Sequence, residues 1–194
     1  MASTITQFKS RLKGGGARAN QFKVILQTFP EGTAGDISDL SFLCKSTTLP
    51  GQTITATTVD FRGRQIKLAG DSRAFEDWSM TVINDTSFSI RNSFEKWMEK
   101  INNMATNGGV TNPADYQTDI IIQQLDRGET VLKTYTLINA FPVSLGEIAV
   151  SYDTNDSIED FTVDFAYEYY TAQVGENGAY TTGDTSLATS QDNA

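Results

Sequence analysis

The sequence predicts a mainly β protein, a sandwich or barrel of antiparallel strands with one α-helix packed outside it. Three observations support this class. Several short segments alternate apolar and polar residues between turn residues, which is the period of a half-buried strand. One segment near residue 95 has instead the period of an amphipathic helix. The chain has 194 residues, 39% of them hydrophobic, so it is long enough to enclose one core between packed layers.

The alternation predicts strands along most of the chain. Segment 54–61 is rich in Thr and β-branched residues, and with a turn at 62–64 it predicts a long hairpin whose second arm is 65–69. The other predicted strands are 21–28, 38–44, 77–84, 119–125, 130–139, 148–152 and 161–169. Polar turns at 126–129 and 153–157 separate the last four of these, so we expect them to pair as antiparallel hairpins.

The strand predicted at 161–169 has the clearest alternation. One face carries the apolar residues Phe161, Val163, Phe165, Tyr167 and Tyr169. The other face carries Asp164 and Glu168, and Asp160 stands just before the strand. This acidic face is either the solvated side of an antiparallel sheet or the wall of a channel that repels a polyanion. The periodicity does not choose between the two interpretations.

One segment predicts a helix. Its apolar residues recur at i, i+4, i+7, i+8 and i+11 and are Ile90, Phe94, Trp97, Met98 and Ile101. This spacing forms a single stripe on a helix, which the glycines at 108–109 would end. We expect Phe94, Trp97, Met98 and Ile101 to bury the helix against the sheet; a helix reserved for a partner is the alternative.

The charges are unevenly distributed. The net charge is −9, whereas a duplex-binding protein is expected to be basic. Residues 1–30 contain five basic residues and no acid, and residues 134–194 contain ten acids and no base. Opposite ends could attract one another between copies, or a basic arm and an acidic surface could each be solvated. Charge alone leaves both interpretations open.

The composition excludes several kinds of chemistry. The chain has no His and one Cys, Cys44, so a Ser-His-Asp triad, a His-ligated metal site and an internal disulfide cannot form. Segment 153–164 has the acidic spacing of a calcium loop, but Ile158 stands where that loop requires Gly. Acidic residues are abundant, yet no spacing marks a glycosidase pair. We predict no catalytic residue, no cofactor and no metal site.

Three regions are predicted along the chain. Residues 1–20 form a basic N-terminal arm that three glycines at 14–16 make flexible. Residues 21–171 form the β domain, and residues 172–194 are a small, polar C-terminal tail or extension. Unbroken apolar runs are only a few residues long, so we expect no membrane insertion.

Four blocks of the sequence carry a family resemblance. They are CKSTTLPGQTI at 44–54, VDFRGRQIKLAGD at 59–71, FEDWSMTVINDTSFSIRNSFEKWMEKIN at 75–102 and FPVSLGEIAVSYDTNDSIEDFTVDFAYEYY at 141–170. In this order they resemble the tail tube proteins of contractile-tailed bacteriophages, and the resemblance is weakest over 103–140.

The resemblance implies a structural virion protein. Members of this family form hexameric rings that stack into the inner tail tube, with a continuous β-barrel lining the lumen, and the type VI secretion tube protein shares this architecture. The implied partners are further copies of the chain, the tail sheath, the baseplate and tail terminator proteins, and phage DNA that passes through the lumen without specific binding. The implied location is the virion tail, after assembly in the host cytoplasm.

Two sets of site residues follow from the alternation and the resemblance together. We expect region 46–64 to contact an adjacent ring or subunit through Leu49, Pro50, Gln52, Arg62 and Arg64. We expect Asp160, Asp164 and Glu168 to line a negative lumen. Two other functions stay open: a ring-forming tube or effector carrier of a contractile secretion or injection system, and a monomeric carbohydrate-binding β-sandwich.

Overall fold

In a computed structural model of the chain, the residues described are 5–12, 15–30, 37–153 and 155–183. Within these ranges the helices are α1 (Ile5–Arg11), α2 (Ile37–Leu43) and α3 (Ser89–Ile101), with a short 3-10 turn at Pro113–Asp115. The strands are β1 (Phe22–Leu26), β2 (Cys44–Thr47), β3 (Thr53–Phe61), β4 (Arg64–Ala74), β5 (Trp78–Ile83), β6 (Thr118–Leu125), β7 (Val131–Leu145), β8 (Asp160–Ala166), β9 (Tyr169–Val174) and β10 (Tyr180–Thr182).

The 15-residue strand β7 belongs to both layers of the main sheet. Its residues 131–140 pair with β6, and residues 133–138 also pair with β9 on the opposite edge. Beyond Asn139, which has a φ of 57°, β7 pairs with β8. One layer is therefore β1-β6-β7-β9-β10 and the other is β7-β8-β5-β2, with every pairing antiparallel. The predicted mainly β, antiparallel class is confirmed.

The core lies where the two layers face each other, and α3 covers it. The ring of Phe165 on β8 lies 5.9 Å from that of Phe94 and 5.6 Å from that of Trp78, centroid to centroid. Each buried indole has a partner: Trp97 Nε1 donates to the carbonyl of Tyr116 at 2.7 Å, and Trp78 Nε1 donates to the carbonyl of Thr48, in the loop after β2, at 2.7 Å. Burial of these two indole N–H groups therefore costs little free energy, because each of them is hydrogen-bonded.

The amphipathic pattern locates α3 correctly. Phe94 and Trp97 are fully buried, as expected of the predicted stripe. Met98 is only half-buried, and Ile101 packs against the edge of the core. Phe88, the residue before the helix, has a left-handed backbone conformation, and its side chain makes no capping hydrogen bond. The carboxylate of Asp85 accepts the first helical N–H instead, from Ser89 at 3.2 Å.

The prediction of a strand at 38–44 is wrong: residues 37–43 form α2, and β2 begins at Cys44. Leu40 and Leu43 have helical i, i+3 spacing, and Leu40 is buried in the core while Leu43 packs against it. The prediction of a single helix is therefore wrong as well. Alternation over seven residues did not separate strand from helix because the intervening Phe42 is apolar yet exposed.

The strand predicted at 148–152 is not present, and the strand predicted at 161–169 is broken. Residues 148–152 form an irregular loop. After β8 the chain turns at 167–168, where the N–H of Glu168 donates to the carbonyl of Ile138. The turn changes which residues face inward, because β9 buries Tyr170 and Ala172 rather than Tyr169. The predicted apolar face is thus correct through Tyr167, which packs against the core, and wrong at Tyr169.

Secondary structure extends beyond both ends of the β domain expected at residues 21–171. The boundary expected between 171 and 172 falls inside β9, and β10 follows at 180–182. Within the region expected to be a flexible arm, residues 5–11 form α1. No helix among the described ranges has both the length and the apolar character that crossing a bilayer requires.

Replacing Phe94 should test the aromatic core. We expect Phe94→Ala to lower the free energy of unfolding by about 3–5 kcal/mol, because the lost ring leaves a cavity that its neighbours cannot fill. Denaturant unfolding of dilute, unassembled protein measures this. Met104→Ala is the control, since Met104 is 84% exposed and should change stability by about 0.5 kcal/mol or less. Equal losses in the two variants would contradict the assignment of the core.

Candidate assembly interface

The strands β3 and β4 form a hairpin that is separate from the main sheet. Phe61 pairs with Arg64, so two residues form the turn. Arg62 and Gly63 have φ values of 47° and 81°, as a type I′ turn requires. All nine residues of β3 are exposed. The predicted hairpin is confirmed, and its second arm extends to Ala74, five residues beyond the prediction.

One face of this hairpin is apolar. Cross-strand register pairs Val59 with Ile66 and Thr57 with Leu68, so these side chains share a face with Phe61. The four apolar members are 46% (Val59), 58% (Phe61), 46% (Ile66) and 53% (Leu68) exposed. We call Val59, Phe61, Ile66 and Leu68 the apolar hairpin face. The sequence reasoning missed it because threonines and charges dominate the segment, although the i, i+2 spacing on each arm was a readable signal.

The predicted contact residues lie at opposite ends of the hairpin. Arg62 and Arg64 are at the turn, and the guanidinium of Arg62 lies 5.4 Å from the centroid of the Phe61 ring. Leu49, Pro50 and Gln52 lie at the base, in a cleft of about 400 Å³ that Trp78 and Tyr167 help to line. Because the nine residues of β3 span about 26 Å, the five residues do not form one local site.

The predicted lumen acids do not all share one surface. Asp160 and Asp164 lie on the outward face of β8 with Thr162. Asp160 forms an ion pair with Lys45 on β2, which offsets its charge. The register places Asp164 beside Ser79 on β5 and Ser144 on β7, so no cation stands at either neighbouring position.

Glu168 lies apart from that face, in the turn between β8 and β9. Its carboxylate accepts a hydrogen bond of 2.6 Å from Asn139 Nδ2, at the residue where β7 passes from one layer to the other. The structure therefore brings together two of the three predicted acids and separates the third. The sequence could not show this, because the 161–169 alternation continues through the letters while the strand ends at Ala166.

The described residues of segment 146–159, which are 146–153 and 155–159, form a second surface, which is mostly exposed and which we call the acidic loop. Its charged residues are Glu147, Asp153, Asp156 and Glu159, and it has no base. It also exposes the apolar side chains of Val150, Tyr152 and Ile158. Both ends are anchored: Arg91 Nη1 donates to the carbonyl of Gly146 at 3.1 Å, and the N–H of Asn84 donates to that of Glu159 at 2.9 Å.

Cys44 is the one thiol of the chain. Burial raises the pKa of the Cys44 thiol to about 11, so the thiol stays protonated near neutral pH. No cluster of three acidic or Cys side chains with metal-binding geometry occurs in the described ranges. The two notable features are the apolar hairpin face and the acidic loop, and both are suited to binding a protein.

Comparisons with known proteins place the chain in a family. The family described as phage tail tube protein matches residues 17–173. The chain is 31% identical over 169 residues to the tail tube protein of Serratia phage KSP90, covering 85% of this chain and 94% of the relative. It is 31% identical over 155 residues to tail tube protein gp19 of Enterobacteria phage T4, covering 79% of this chain and 90% of the relative.

Solved structures share the fold at lower sequence identity. A chain from the sheath-tube complex of an extracellular contractile injection system superposes with a TM-score of 0.56 at 16% identity, covering 89% of this chain and 99% of the other. A chain from the anti-feeding prophage baseplate gives a TM-score of 0.59 at 12% identity, covering 81% and 95%. The family match spans nearly the whole double-layered sheet and the hairpin, so this chain belongs to the phage tail tube protein family.

Proposed function

We propose that the chain assembles into hexameric rings that stack into the inner tube of a contractile phage tail, and that the tube conducts DNA into the host. The observation that carries this proposal is the apolar hairpin face. An isolated two-stranded hairpin is at best marginally stable in water, and four large apolar side chains at its surface favour a partner that covers them. In a tail tube protein, further copies of the same chain are the natural partner.

The fold supplies the other joints that a polymer needs. A ring or a stack requires two different surfaces that fit each other, because a self-complementary patch would stop at a dimer. The main sheet ends in the short edge strands β1, β2 and β10, whose free backbone groups are available for pairing with a neighbour. Strand pairing between copies would extend the sheet around a lumen.

The partners proposed for the tube are the sheath, the baseplate and the tail terminator. Structures that share the fold come from a sheath-tube complex, from a baseplate that was symmetrised sixfold and from a tube-terminating cap. These assignments belong to those proteins; for this chain they support a sixfold tube in the virion tail, built in the host cytoplasm and closed at both ends by other proteins.

A negative lumen is proposed for the outward face of β8. A wall that repels phosphate lets DNA pass without sticking. Asp164 is the strongest of the predicted acids for this role, because it lacks a cation at the adjacent register positions. Asp160 contributes less because Lys45 is its ion-pair partner, and Glu168 would act from the turn at the end of the strand.

The second candidate is a ring-forming carrier in an injection system, which the shared fold of the contractile injection system chains favours. Negative-stain microscopy of the purified protein at rising concentration separates the possibilities. Long tubes support the phage tube and isolated rings support the carrier. A particle that stays monomeric at high concentration would contradict both and would leave the monomeric binding module.

Charge reversal at the hairpin turn tests the predicted contact. We expect Arg62→Glu with Arg64→Glu to raise the concentration needed for tube formation by about tenfold or more, equal to about 1.4 kcal/mol of lost contact energy. Sedimentation of assembled tubes measures this concentration. The control is Arg127→Glu with Lys96→Glu, which makes the same change in net charge at exposed positions outside the hairpin. Unchanged tube growth in the turn variant would contradict the contact.

Charge reversal on β8 tests the lumen. We expect tubes of Asp164→Lys with Glu168→Lys, grown with short duplex DNA, to protect that DNA from nuclease, whereas wild-type tubes should not. Protection should fall as salt rises, because phosphate contacts release counterions. Glu129→Lys with Asp115→Lys, which adds the same charge at exposed positions elsewhere, is the control. A reconstruction of the tube that places Asp164 on the outer wall would contradict the assignment.

A further inference from the structure

We propose that the apolar hairpin face of one copy docks onto the acidic loop of an adjacent copy, with Phe61 entering a cleft in that loop. The inference rests on the proposed tube, since it requires neighbouring copies, and it goes further by naming the acceptor surface. It assigns one half of a heterologous contact to each of two regions of the chain.

The hairpin has the properties of a donor. Phe61 is its largest exposed apolar side chain, and it sits beside the turn rather than against the body of the protein. Arg62 flanks the ring from the turn, and Arg64 is its cross-strand partner. An aromatic ring beside one guanidinium group, with a second arginine directly across the hairpin, fits a pocket that is apolar inside and acidic at its rim.

The acidic loop has the matching properties. It forms a cleft of about 290 Å³ whose apolar lining includes Ile148, Val150 and Ile158. Its acidic lining is Glu159 and Asp160, of which Asp160 is paired with Lys45. Val150 is 78% and Ile158 is 75% exposed, so the apolar rim is open to a partner. The cleft is large enough to receive an aromatic side chain.

The net charges of the two surfaces complement each other. Residues 53–74 of the hairpin carry four basic and two acidic side chains, whereas residues 146–159 carry four acids and no base. Opposite charges around an apolar centre steer association and fix its register. Two larger apolar grooves beside α3 lack this bias. Arg91, Glu95, Lys96 and Glu99 line one of them, and the residues that line the other are uncharged.

The contact is between copies and has a direction. Every residue of β3 is exposed in the chain, so its own acidic loop does not cover the hairpin. A donor at one place on the surface and an acceptor at another leave each copy with one free half of each contact. Such a contact propagates and does not close on a pair.

Disulfide trapping in assembled tubes tests the pairing. Equal amounts of Phe61→Cys and Ile158→Cys chains are assembled, oxidised and run on a non-reducing gel. We expect covalent dimers at about tenfold the level of a mixture of Thr58→Cys and Ile158→Cys, because a disulfide requires Cβ atoms about 3.5–4.5 Å apart and Thr58 lies on the opposite face of the hairpin. Cys44 adds little background, since burial raises its pKa to about 11.

Charge exchange is the second measurement, and it leaves Phe61 and Ile158 intact. The variant Arg62→Glu, Arg64→Glu is combined with Glu147→Lys, Asp153→Lys. We expect the combination to return the concentration for tube formation to within about threefold of wild type, since restored attraction across the contact offsets the reversal. Asp156 is left unchanged because its φ of 62° disfavours a longer side chain.

The outcomes separate this inference from the proposed function. Tubes that form normally but give no Phe61–Ile158 dimer above the control, together with no rescue by charge exchange, would overturn the pairing and leave the tube standing. Dimers with Phe8→Cys of α1 in place of Phe61→Cys would assign the cleft to α1 and would also overturn it. Wild-type protein that forms no tubes would remove the proposed function itself.

Discussion

Four large apolar side chains on a hairpin outside the main sheet are the constraint on which the function of this molecule depends. Burying such side chains is worth about 25 cal/mol for each Å² removed from water, yet β3 is exposed along its whole length. A neighbouring copy that covers these four side chains explains why they lie outside the core of their own chain. The free chain therefore carries, in its folded state, apolar area that contributes to stability only after assembly.

The rest of the fold makes this hairpin a fixed feature of the surface. The strand β7 ties both layers together, and the aromatic core around Phe165 holds α3 against them. At the base of the hairpin, Trp78 anchors the preceding loop through its hydrogen bond to the Thr48 carbonyl. A donor surface that is anchored at its base loses less conformational entropy on binding than a mobile segment would.

The sequence predicted the elements whose signal was local and failed where pairing decided the outcome. Thr-rich arms around Arg62-Gly63 predicted the hairpin, and the apolar stripe through Phe94 predicted α3. Both predictions were possible because a turn and a helical period depend on residues that are close together in the sequence. The end of β8 could not be read, since the alternation continues past Ala166 while Glu168 turns to bond Ile138 across the sheet.

The candidate site followed the same division. The two arginines at the turn stood out in the sequence because they flank a glycine. The apolar hairpin face did not stand out in the sequence. Val59 and Leu68 are residue types that usually lie in a core, and only the fold shows that they are exposed. Segment 148–152 of the acidic loop predicts a strand for the same reason, since Ile148 and Val150 are β-branched. In the fold Ile148 packs against the core, whereas Val150 is exposed.

Apolar area and charge divide the work of such a contact. A single exposed ion pair contributes about 0–1 kcal/mol and is screened by salt, so Arg62 and Arg64 alone could not hold two copies together. Burial of Phe61 in an apolar cleft contributes more free energy, but the hydrophobic effect is non-directional and does not fix the orientation of the two copies. Combined, the apolar centre supplies affinity and the opposed charges reject the reversed orientation. Each added copy repeats the same small contact, so modest energy per copy gives a long, polar tube.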